Sequence, residues 1–287
     1  MDTSCKRTRR IIFTHGLSIG LLLLIGGCIT TPTVNERLQL AHELTERAGW
    51  QGTTLPTTPY PLYGFLPKKV GRSNTLTIYI EGDGLAWISR RRVSANPTPK
   101  NPVALKLALL DPLPAAYLAR PCQYIAETKS CDTSLWTSHR FSSDVVTSSN
   151  QAIDDLKQRF QAKQLRLVGY SGGGAIAALL AARRDDVTLL VTVAGNLDHD
   201  SWTQQHGVSP LTGSLNPIDE WQSLSSVPQI HFVGANDVIV NDEIASSYRA
   251  RFPPDRQPQI RLVDGADHHC CWEAKWPALL KTLPGSK

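Results

Sequence analysis

The feature that most constrains the fold is the stretch from Leu165 to Ala182, which reads LRLVGYSGGGAIAALLAA. Its first part alternates apolar residues and predicts a buried strand, and its last part predicts a helix rich in Ala and Leu. Only the five residues from 169 to 173 separate the two, so the connection is a very tight turn. Such a strand–turn–helix unit indicates an α/β protein.

Ser171 stands at the centre of this turn, in a G-x-S-x-G pattern. A serine on so sharp a turn has a strained backbone, and a Cβ at position 169 or 173 would collide with the adjacent strand and helix. Free N–H groups and the helix dipole at the start of the helix favour a developing negative charge. We therefore interpret Ser171 as a candidate nucleophile, and the alternative is a glycine-rich turn with an incidental serine.

Length and charge exclude some partners. A chain of 287 residues with 41% hydrophobic residues suits one α/β domain with a sizeable core. The net charge is +5, but four basic residues against one acidic residue within positions 1–10 account for +3, which leaves +2 for the rest. A nearly neutral domain argues against a nucleic-acid partner. No cofactor and no metal are expected.

Residues 1–27 have the architecture of an export signal. A basic stretch at 6–10 precedes an apolar stretch at 11–25 that is rather short for a transmembrane helix. The segment 24–28, LIGGC, resembles the lipobox of bacterial lipoproteins, which implies a lipid on Cys28 and attachment to a membrane by acyl chains. Ile29 following this cysteine points to an outer membrane, with the chain facing the periplasm. An ordinary cleaved signal and a retained N-terminal anchor are the alternatives.

Four cysteines remain beyond this segment, at positions 122, 131, 270 and 271. An oxidising compartment favours their pairing, and four cysteines allow three pairings. We prefer Cys122–Cys131, which closes a short loop and leaves Cys270–Cys271 as a vicinal disulfide or as free thiols. A cross-pairing between the two groups is the rival.

The remaining chain divides into three parts. Residues 28–59 read as an N-terminal tether with a short helix over 34–48, residues 60–287 as the main domain, and residues 195–225 as a small cap segment within that domain.

A strand is predicted at 75–80, directly before Glu81-Gly82-Asp83-Gly84, and another at 123–126. The acidic pair in the glycine loop could also be read as a metal pair or a plain loop. The run at 90–92, three arginines, is a solvated turn or a contact for anionic lipid or an acidic substrate.

A serine nucleophile needs an adjacent base and a group that orients it. The strand at 229–233 leads to Asp237, and we choose this carboxylate over Asp242, which stands where the next helix begins. The last strand, at 259–263, leads to His268 and His269. A loop histidine after the last strand can reach over Ser171.

Ser171, Asp237 and His268, in this order and each after a strand, resemble the triad of α/β-hydrolase-fold proteins. The resemblance covers residues 60–283 and implies a mostly parallel central sheet flanked by helices. The small-residue turn before the histidine resembles the family's G-x-x-H turn, which selects His268. The loop at 81–84 resembles the H-G-x-G loop of esterases with Glu81 in place of the His. That alignment implies an oxyanion hole formed by the N–H groups of Gly172 and Asp83.

What the resemblance implies for activity is acyl transfer to water by a serine hydrolase. A carboxylic ester of a small molecule is the default substrate, as in carboxylesterases and lipases, and a peptide or amide is the next choice. The non-enzymatic alternative is an envelope-anchored binding protein that retains a vestigial triad. The oligomeric state stays open.

Overall fold

The computed structural model describes residues 31–125 and 130–285, and the described residues from Pro32 onward form one compact unit. The export segment and Cys28 lie outside the described residues. Strands occupy Trp50–Leu55 (β1), Leu62–Pro67 (β2), Thr75–Ile80 (β3), Trp87–Ser89 (β4), Arg92–Val93 (β5), Ala115–Leu118 (β6), Gln164–Tyr170 (β7), Val187–Val193 (β8), Gln229–Gly234 (β9) and Gln259–Val263 (β10). Helices occupy Val34–Arg47 (α1), Val103–Leu109 (α2), Ser143–Phe160 (α3), Gly172–Ala181 (α4), His199–His206 (α5), Trp221–Leu224 (α6), Asp242–Ala250 (α7) and Trp272–Leu280 (α8).

Eight strands form a central sheet in the order β1-β2-β6-β3-β7-β8-β9-β10. Strand β2 is antiparallel to both β1 and β6, and every later pairing is parallel. This mostly parallel sheet confirms the predicted fold class. The other two described strands, β4 and β5, pair only with each other, as a small antiparallel hairpin.

Helices cover both faces of the sheet, so successive strand residues are buried on opposite sides. Ile78 and Leu167 belong to the core on one face, which α3, α4 and the end of α7 cover. Their neighbours Tyr79 and Val168 belong to the core on the other face, which α1, α2 and α8 cover. The elbow helix α4 is buried along its whole length, which explains why its sequence is apolar on every side.

The sheet begins at Trp50, and the boundary placed at residue 60 is therefore wrong. The predicted tether contributes β1, which pairs with β2 along its full length, and α1, whose Ala41 lies in the core. Helix α1 starts with a capping box in which Thr33 and Glu36 satisfy each other's N–H groups. Arg37 is buried and donates to the carbonyl groups of Asn96 and Thr98. This segment therefore belongs to the domain. Strand β1 pairs with β2 and forms the edge of the sheet, and α1 packs against the core.

The predicted strand at 123–126 is also wrong, because residues 121–125 form turns and residue 126 lies outside the described part. The strand that fills this place in the sheet is β6, Ala115–Leu118, which pairs with β2 and β3. Its sequence, AAYL, gives a weak strand signal because alanine has a low strand propensity. Its full burial between two neighbours decides the conformation instead.

Parallel pairing brings the carboxyl ends of β3, β7, β8, β9 and β10 to one edge of the sheet. The cap segment, 195–225, starts at this edge after β8 and contains α5, a short 3-10 turn at Pro217–Glu220 and α6. No helix among residues 31–125 and 130–285 has the combined length and apolar character needed to cross a bilayer.

Candidate active site

The backbone of Ser171 has φ 51° and ψ −121°, a conformation that side-chain-bearing residues rarely adopt. Hydrogen bonds hold it from two sides. The Ser171 N–H donates to the carbonyl of Val193 over 2.9 Å, and the Ser171 carbonyl accepts from the N–H groups of Gly174 (2.9 Å) and Asn196 (3.1 Å). The strained residue is therefore fixed by its own helix and by the neighbouring strand β8 and its loop.

Two glycines of the turn are required by contact with backbone. A Cβ on Gly169 would lie 2.5 Å from the Cα of Gly174, and a Cβ on Gly173 would lie 2.8 Å from the backbone carbon of Glu81. Gly174 has a related role, because its Cβ would lie 2.8 Å from the Cα of Gly195. Helix α4 can lie this close to β3 and β8 only because these positions have no side chain.

The structure brings Ser171, His268 and Asp237 into one hydrogen-bonded chain. Ser171 Oγ lies 3.0 Å from His268 Nε2, and His268 Nδ1 lies 2.9 Å from Asp237 Oδ2. Because an ionised carboxylate can only accept, Nδ1 donates to Asp237 and Nε2 remains to accept the hydroxyl proton of Ser171. The carboxylate is fully buried and the serine is partly exposed. Such an arrangement can transfer a proton from the serine to the imidazole.

Asp237 is held by the loop that follows β9. Its Oδ1 accepts from the N–H groups of Ile239 (2.8 Å) and Val240 (2.9 Å), which leaves Oδ2 for His268. The rival carboxylate, Asp242, is the first residue of α7, which Asn241 caps. Asp237 therefore lies in the loop directly after β9, whereas Asp242 belongs to the next helix, as the sequence pattern indicated.

The loop after β10 carries His268 to the serine. Its main chain turns at Gly265, which has φ +64°, and at Asp267, whose Oδ1 accepts the N–H groups of His269 and Cys270. Tyr170, the residue before the serine, donates its hydroxyl proton to the carbonyl of His268 over 2.7 Å. His269 makes no hydrogen bond to Ser171, and partial desolvation of its ring together with the nearby His268 lowers its pKa.

The glycine loop after β3 lies directly against the elbow. A Cβ on Gly82 would be 3.3 Å from Ser171 Cβ, and a Cβ on Gly172 would be 2.6 Å from the Asp83 carboxyl carbon. Within the described part of the chain, the N–H groups of Gly172 and Asp83 donate no hydrogen bond. Both predicted oxyanion donors therefore belong to segments in contact at the serine.

The side chain of Asp83 has two buried partners that sequence reasoning did not identify. Arg140 Nη1 lies 2.5 Å from Asp83 Oδ2, and Arg120 Nη1 lies 3.3 Å from Asp83 Oδ1. Arg120 also donates to the carbonyl of Arg140, which joins the two arginines, and burial lowers its pKa to about 10. Arg120 comes two residues after β6, so a correct assignment of that strand is the signal that would have found it.

Glu81 is turned into the protein, away from a metal-binding role. Its Oε1 accepts the N–H groups of Gly82 (2.9 Å) and Ala104 (3.4 Å), and its Oε2 accepts the Tyr117 hydroxyl (3.2 Å). Complete burial raises the pKa of this carboxyl to about 7. Glu81 therefore braces the start of the glycine loop, where the esterase pattern has a histidine.

The cap contributes Trp202 to the surroundings of the site. Its ring lies 6.0 Å from the guanidinium carbon of Arg140, and its indole N–H donates to the carbonyl of Ile239 over 2.9 Å. One side chain of α5 thus connects the loop of Arg140 with the loop of Asp237. Ser171 itself is partly exposed, while Asp237 and His268 behind it are buried.

The disulfides among the described cysteines include the preferred one, and of the two states left open for Cys270 and Cys271 the structure has the vicinal bond. Cys122 is bonded to Cys131, and Cys270 is bonded to Cys271 directly after His268 and His269. The cross-pairing is not present.

Comparison with known proteins identifies the fold. No family model matches the chain, and no curated protein matches it. Among solved structures, it is similar to an alpha-beta serine hydrolase homologue from Coxiella burnetii, with a TM-score of 0.52 and 16% identity over 80% of this chain and 93% of that one. A Pyrococcus furiosus esterase aligns with a TM-score of 0.56 and 13% identity over 81% and 90%. A putative dienelactone hydrolase from Klebsiella pneumoniae aligns with a TM-score of 0.54 and 18% identity over 81% and 96%.

Proposed function

We propose that this chain, which has the α/β-hydrolase fold, is a serine hydrolase that cleaves a carboxylic ester through an acyl-enzyme. The observation that carries the proposal is the hydrogen-bonded chain from Ser171 through His268 to Asp237. His268 Nε2 faces the hydroxyl of Ser171, which is partly exposed, and His268 Nδ1 faces the buried carboxylate of Asp237. The esterase and hydrolase names of similar structures are in agreement with this function.

The first step forms a bond between Ser171 Oγ and the ester carbonyl carbon. His268 Nε2 takes the hydroxyl proton as the bond forms, and Asp237 stabilises the resulting imidazolium. The carbonyl oxygen becomes an oxyanion, and the N–H groups of Gly172 and Asp83 are the proposed donors to it. Donors of this kind typically contribute about 3 kcal/mol each to the transition state.

The second half of the reaction reverses these proton transfers. His268 gives its proton to the leaving alkoxide, the carbon–oxygen bond of the ester breaks, and the alcohol departs. Water then attacks the acyl-enzyme while His268 accepts a proton from it. His268 returns that proton to Ser171 Oγ as the carboxylic acid is released.

Arg120 and Arg140 support this chemistry by neutralising Asp83. Its carboxylate lies against Gly172, where a negative charge unbalanced by cations would oppose an oxyanion. The two guanidinium groups pair with both carboxylate oxygens. They also tie the Asp83 loop to the segment after β6 and to the segment before α3.

Covalent labelling tests the proposal. A fluorophosphonate probe is expected to label the wild-type chain and to leave Ser171→Ala unlabelled. Ser226→Ala is the matched control, because Ser226 is exposed and bonds only within its own turn. Absence of wild-type labelling, or labelling that persists in Ser171→Ala, would refute the serine mechanism. Comparison of p-nitrophenyl esters with aminoacyl amides then separates esterase from peptidase activity.

We also propose that the enzyme works in a bacterial envelope, anchored by a lipid on Cys28. The lipobox-like segment 24–28 and two disulfides support this location. Radiolabelled palmitate is expected to enter the wild-type chain in cells and to be absent from Cys28→Ser. Equal incorporation into both would contradict the anchor.

A further inference from the structure

The hairpin formed by β4 and β5, Trp87–Val93, exposes apolar and cationic side chains together. Trp87 is 43% exposed and Ile88 is 39% exposed, although both are large apolar residues. The three arginines at positions 90–92 follow them and are all exposed. None of the three makes an ion pair with any residue in the described ranges, so the cationic charge of the hairpin is not neutralised there.

The base of the hairpin is tied to the loop that carries Asp83. Leu85 and Ala86 are buried, and the Leu85 N–H donates to the carbonyl of Pro97 over 3.0 Å. Ser94 closes the base, since its N–H donates to the carbonyl of Ala86 and its own carbonyl accepts the indole N–H of Trp136. The exposed residues therefore project from a fixed base that begins one residue after Gly84, at the same sheet edge as Ser171.

An anionic phospholipid surface offers both chemistries that this hairpin needs. Tryptophan favours the boundary between headgroups and acyl chains, and isoleucine favours the acyl chains. Arginines beside them meet the phosphates, while their long apolar stems cover the boundary. A soluble acidic protein or a polynucleotide would satisfy the arginines and leave the apolar pair without a partner.

We propose that Trp87–Val93 docks on an anionic phospholipid bilayer and thereby sets the sheet edge that carries Ser171 against the membrane surface. The docking itself is independent of the proposed catalytic function. Its consequence for the substrate rests on that function: Ser171 acts on acyl esters presented at a lipid surface.

Depth-dependent quenching of Trp87 tests the docking. The full chain is added to vesicles that contain brominated lipid, with or without phosphatidylglycerol in phosphatidylcholine, and the signal of Trp87 is the difference between the wild type and Trp87→Phe. We expect Trp87 to be quenched in vesicles with phosphatidylglycerol and far less in phosphatidylcholine alone. All variants share one N-terminal segment, so its membrane contribution cancels.

Replacement of the three arginines tests whether the hairpin itself, and not the positive charge of the protein in general, causes binding to anionic vesicles. Each arginine near an anionic surface favours the docked state by roughly fivefold, so R90Q/R91Q/R92Q is expected to shift the ratio of docked to undocked hairpin by about 100-fold and to abolish the quenching. The matched control is K68Q/K69Q/R72Q, which removes three exposed cations between β2 and β3, at the opposite edge of the sheet. Equal loss in both variants would overturn the proposal. Equal quenching of Trp87 by aqueous iodide with and without vesicles would also overturn the proposal. This is the result expected if the hairpin binds a soluble partner.

Activity distinguishes this inference from the proposed function. On a soluble short-chain ester, R90Q/R91Q/R92Q is expected to match the wild type within twofold, whereas on an ester embedded in anionic vesicles it is expected to lose about tenfold or more in rate. If the enzyme cleaves the soluble ester, and the wild type and R90Q/R91Q/R92Q cleave the vesicle-embedded ester at equal rates, the substrate inference alone is refuted. A chain that cleaves neither ester would refute the proposed function, and the quenching of Trp87 would still decide the docking.

Discussion

Ser171 combines an unfavourable backbone conformation with a well-supported position. Its φ of 51° would cost of order 1–3 kcal/mol in an unrestrained chain. Three main-chain hydrogen bonds to Val193, Gly174 and Asn196 stabilise it. The conformation directs the hydroxyl group out of the turn and toward His268 Nε2, so the strain has a direct chemical purpose in the proposed mechanism.

Asp237→Asn is expected to lower kcat by roughly 10⁴-fold with little change in folding stability. The amide oxygen can still accept the N–H groups of Ile239 and Val240, but the amide nitrogen then faces His268 Nδ1 and favours the wrong tautomer. Steady-state kinetics on a soluble ester measures the loss. Asp242→Asn makes the same change at the start of α7 and should alter kcat by less than about twofold. Comparable losses in the two variants would contradict the role of Asp237.

Glu81 gives the protein a predictable response to pH. Burial raises the pKa of this carboxyl from 4.5 to about 7 in the folded state. Between these values the folded chain retains a proton that the unfolded chain has lost, so the free energy of unfolding falls as pH rises from about 4.5 to about 7 and then levels off. At 1.36 kcal/mol per pKa unit, the full effect is about 3 kcal/mol.

Glu81→Gln removes this titration and retains a side chain of the same shape. We expect the variant to be more stable than the wild type at pH 8, by up to about 3 kcal/mol, and nearly equal to it at pH 4. Urea unfolding across this range measures the difference. Parallel stability curves for the two proteins would show that the folded-state pKa of Glu81 is not raised.

At the scale of elements, the decisive unit is the junction of β7 and α4. The helix approaches β3 and β8 so closely that main-chain atoms occupy the space of three absent side chains, at positions 169, 173 and 174. This contact also places the helix N-terminus beside the serine. The local sequence predicted the strand, the turn and the helix together because all their signals lie within one short stretch.

Gly173→Ala is expected to destabilise the chain by about 1–3 kcal/mol or more. The new Cβ would collide with the carbonyl of Ile80 and the backbone of Glu81, and main-chain atoms cannot move aside as a flexible side chain can. Thermal unfolding followed by circular dichroism measures the change. Gly71→Ala is the matched control, since open space surrounds its Cβ and its φ lies outside the left-handed region. Equal melting temperatures for the two variants would refute the close contact.

Elements with weak local signals were predicted poorly. Strand β6 contains two alanines in four residues, so its strand signal is weak and the sequence pattern favours residues 123–126. The error also concealed Arg120, because the expected end of the strand was misplaced. Strand propensity reflects the packing that a sheet provides, and this packing is a property of neighbouring strands distant in sequence.

At the scale of the whole molecule, one buried ionic network joins β3, β7 and α8. Arg166 Nη2 lies 2.7 Å from Asp111 Oδ2, and the same carboxylate oxygen accepts the Tyr79 hydroxyl over 2.8 Å. Trp276 of α8 completes the network by donating its indole N–H to Tyr79 over 3.2 Å. The members come from four distant segments, so the network can form only in the assembled fold.

Asp111→Ala is expected to lower the free energy of unfolding by about 3–5 kcal/mol, since it leaves the Arg166 guanidinium buried without a counter-charge. Urea denaturation measures the loss. Glu220→Ala breaks the more exposed pair with Arg183 and should cost at most about 1 kcal/mol. A small effect at Asp111 would mean that water reaches Arg166 in the folded chain.

The amino-acid sequence by itself determined the fold class, the elbow and the order of Ser171, Asp237 and His268. These depend on short-range patterns: apolar alternation, glycines where a Cβ would collide, and polar residues that follow strands. Only the tertiary structure decided that β1 belongs to the sheet, that β6 lies between β2 and β3, and that Arg120 and Arg140 meet at Asp83. Those contacts join segments that are far apart in the chain, and their energy arises from burial and charge pairing that no local pattern records.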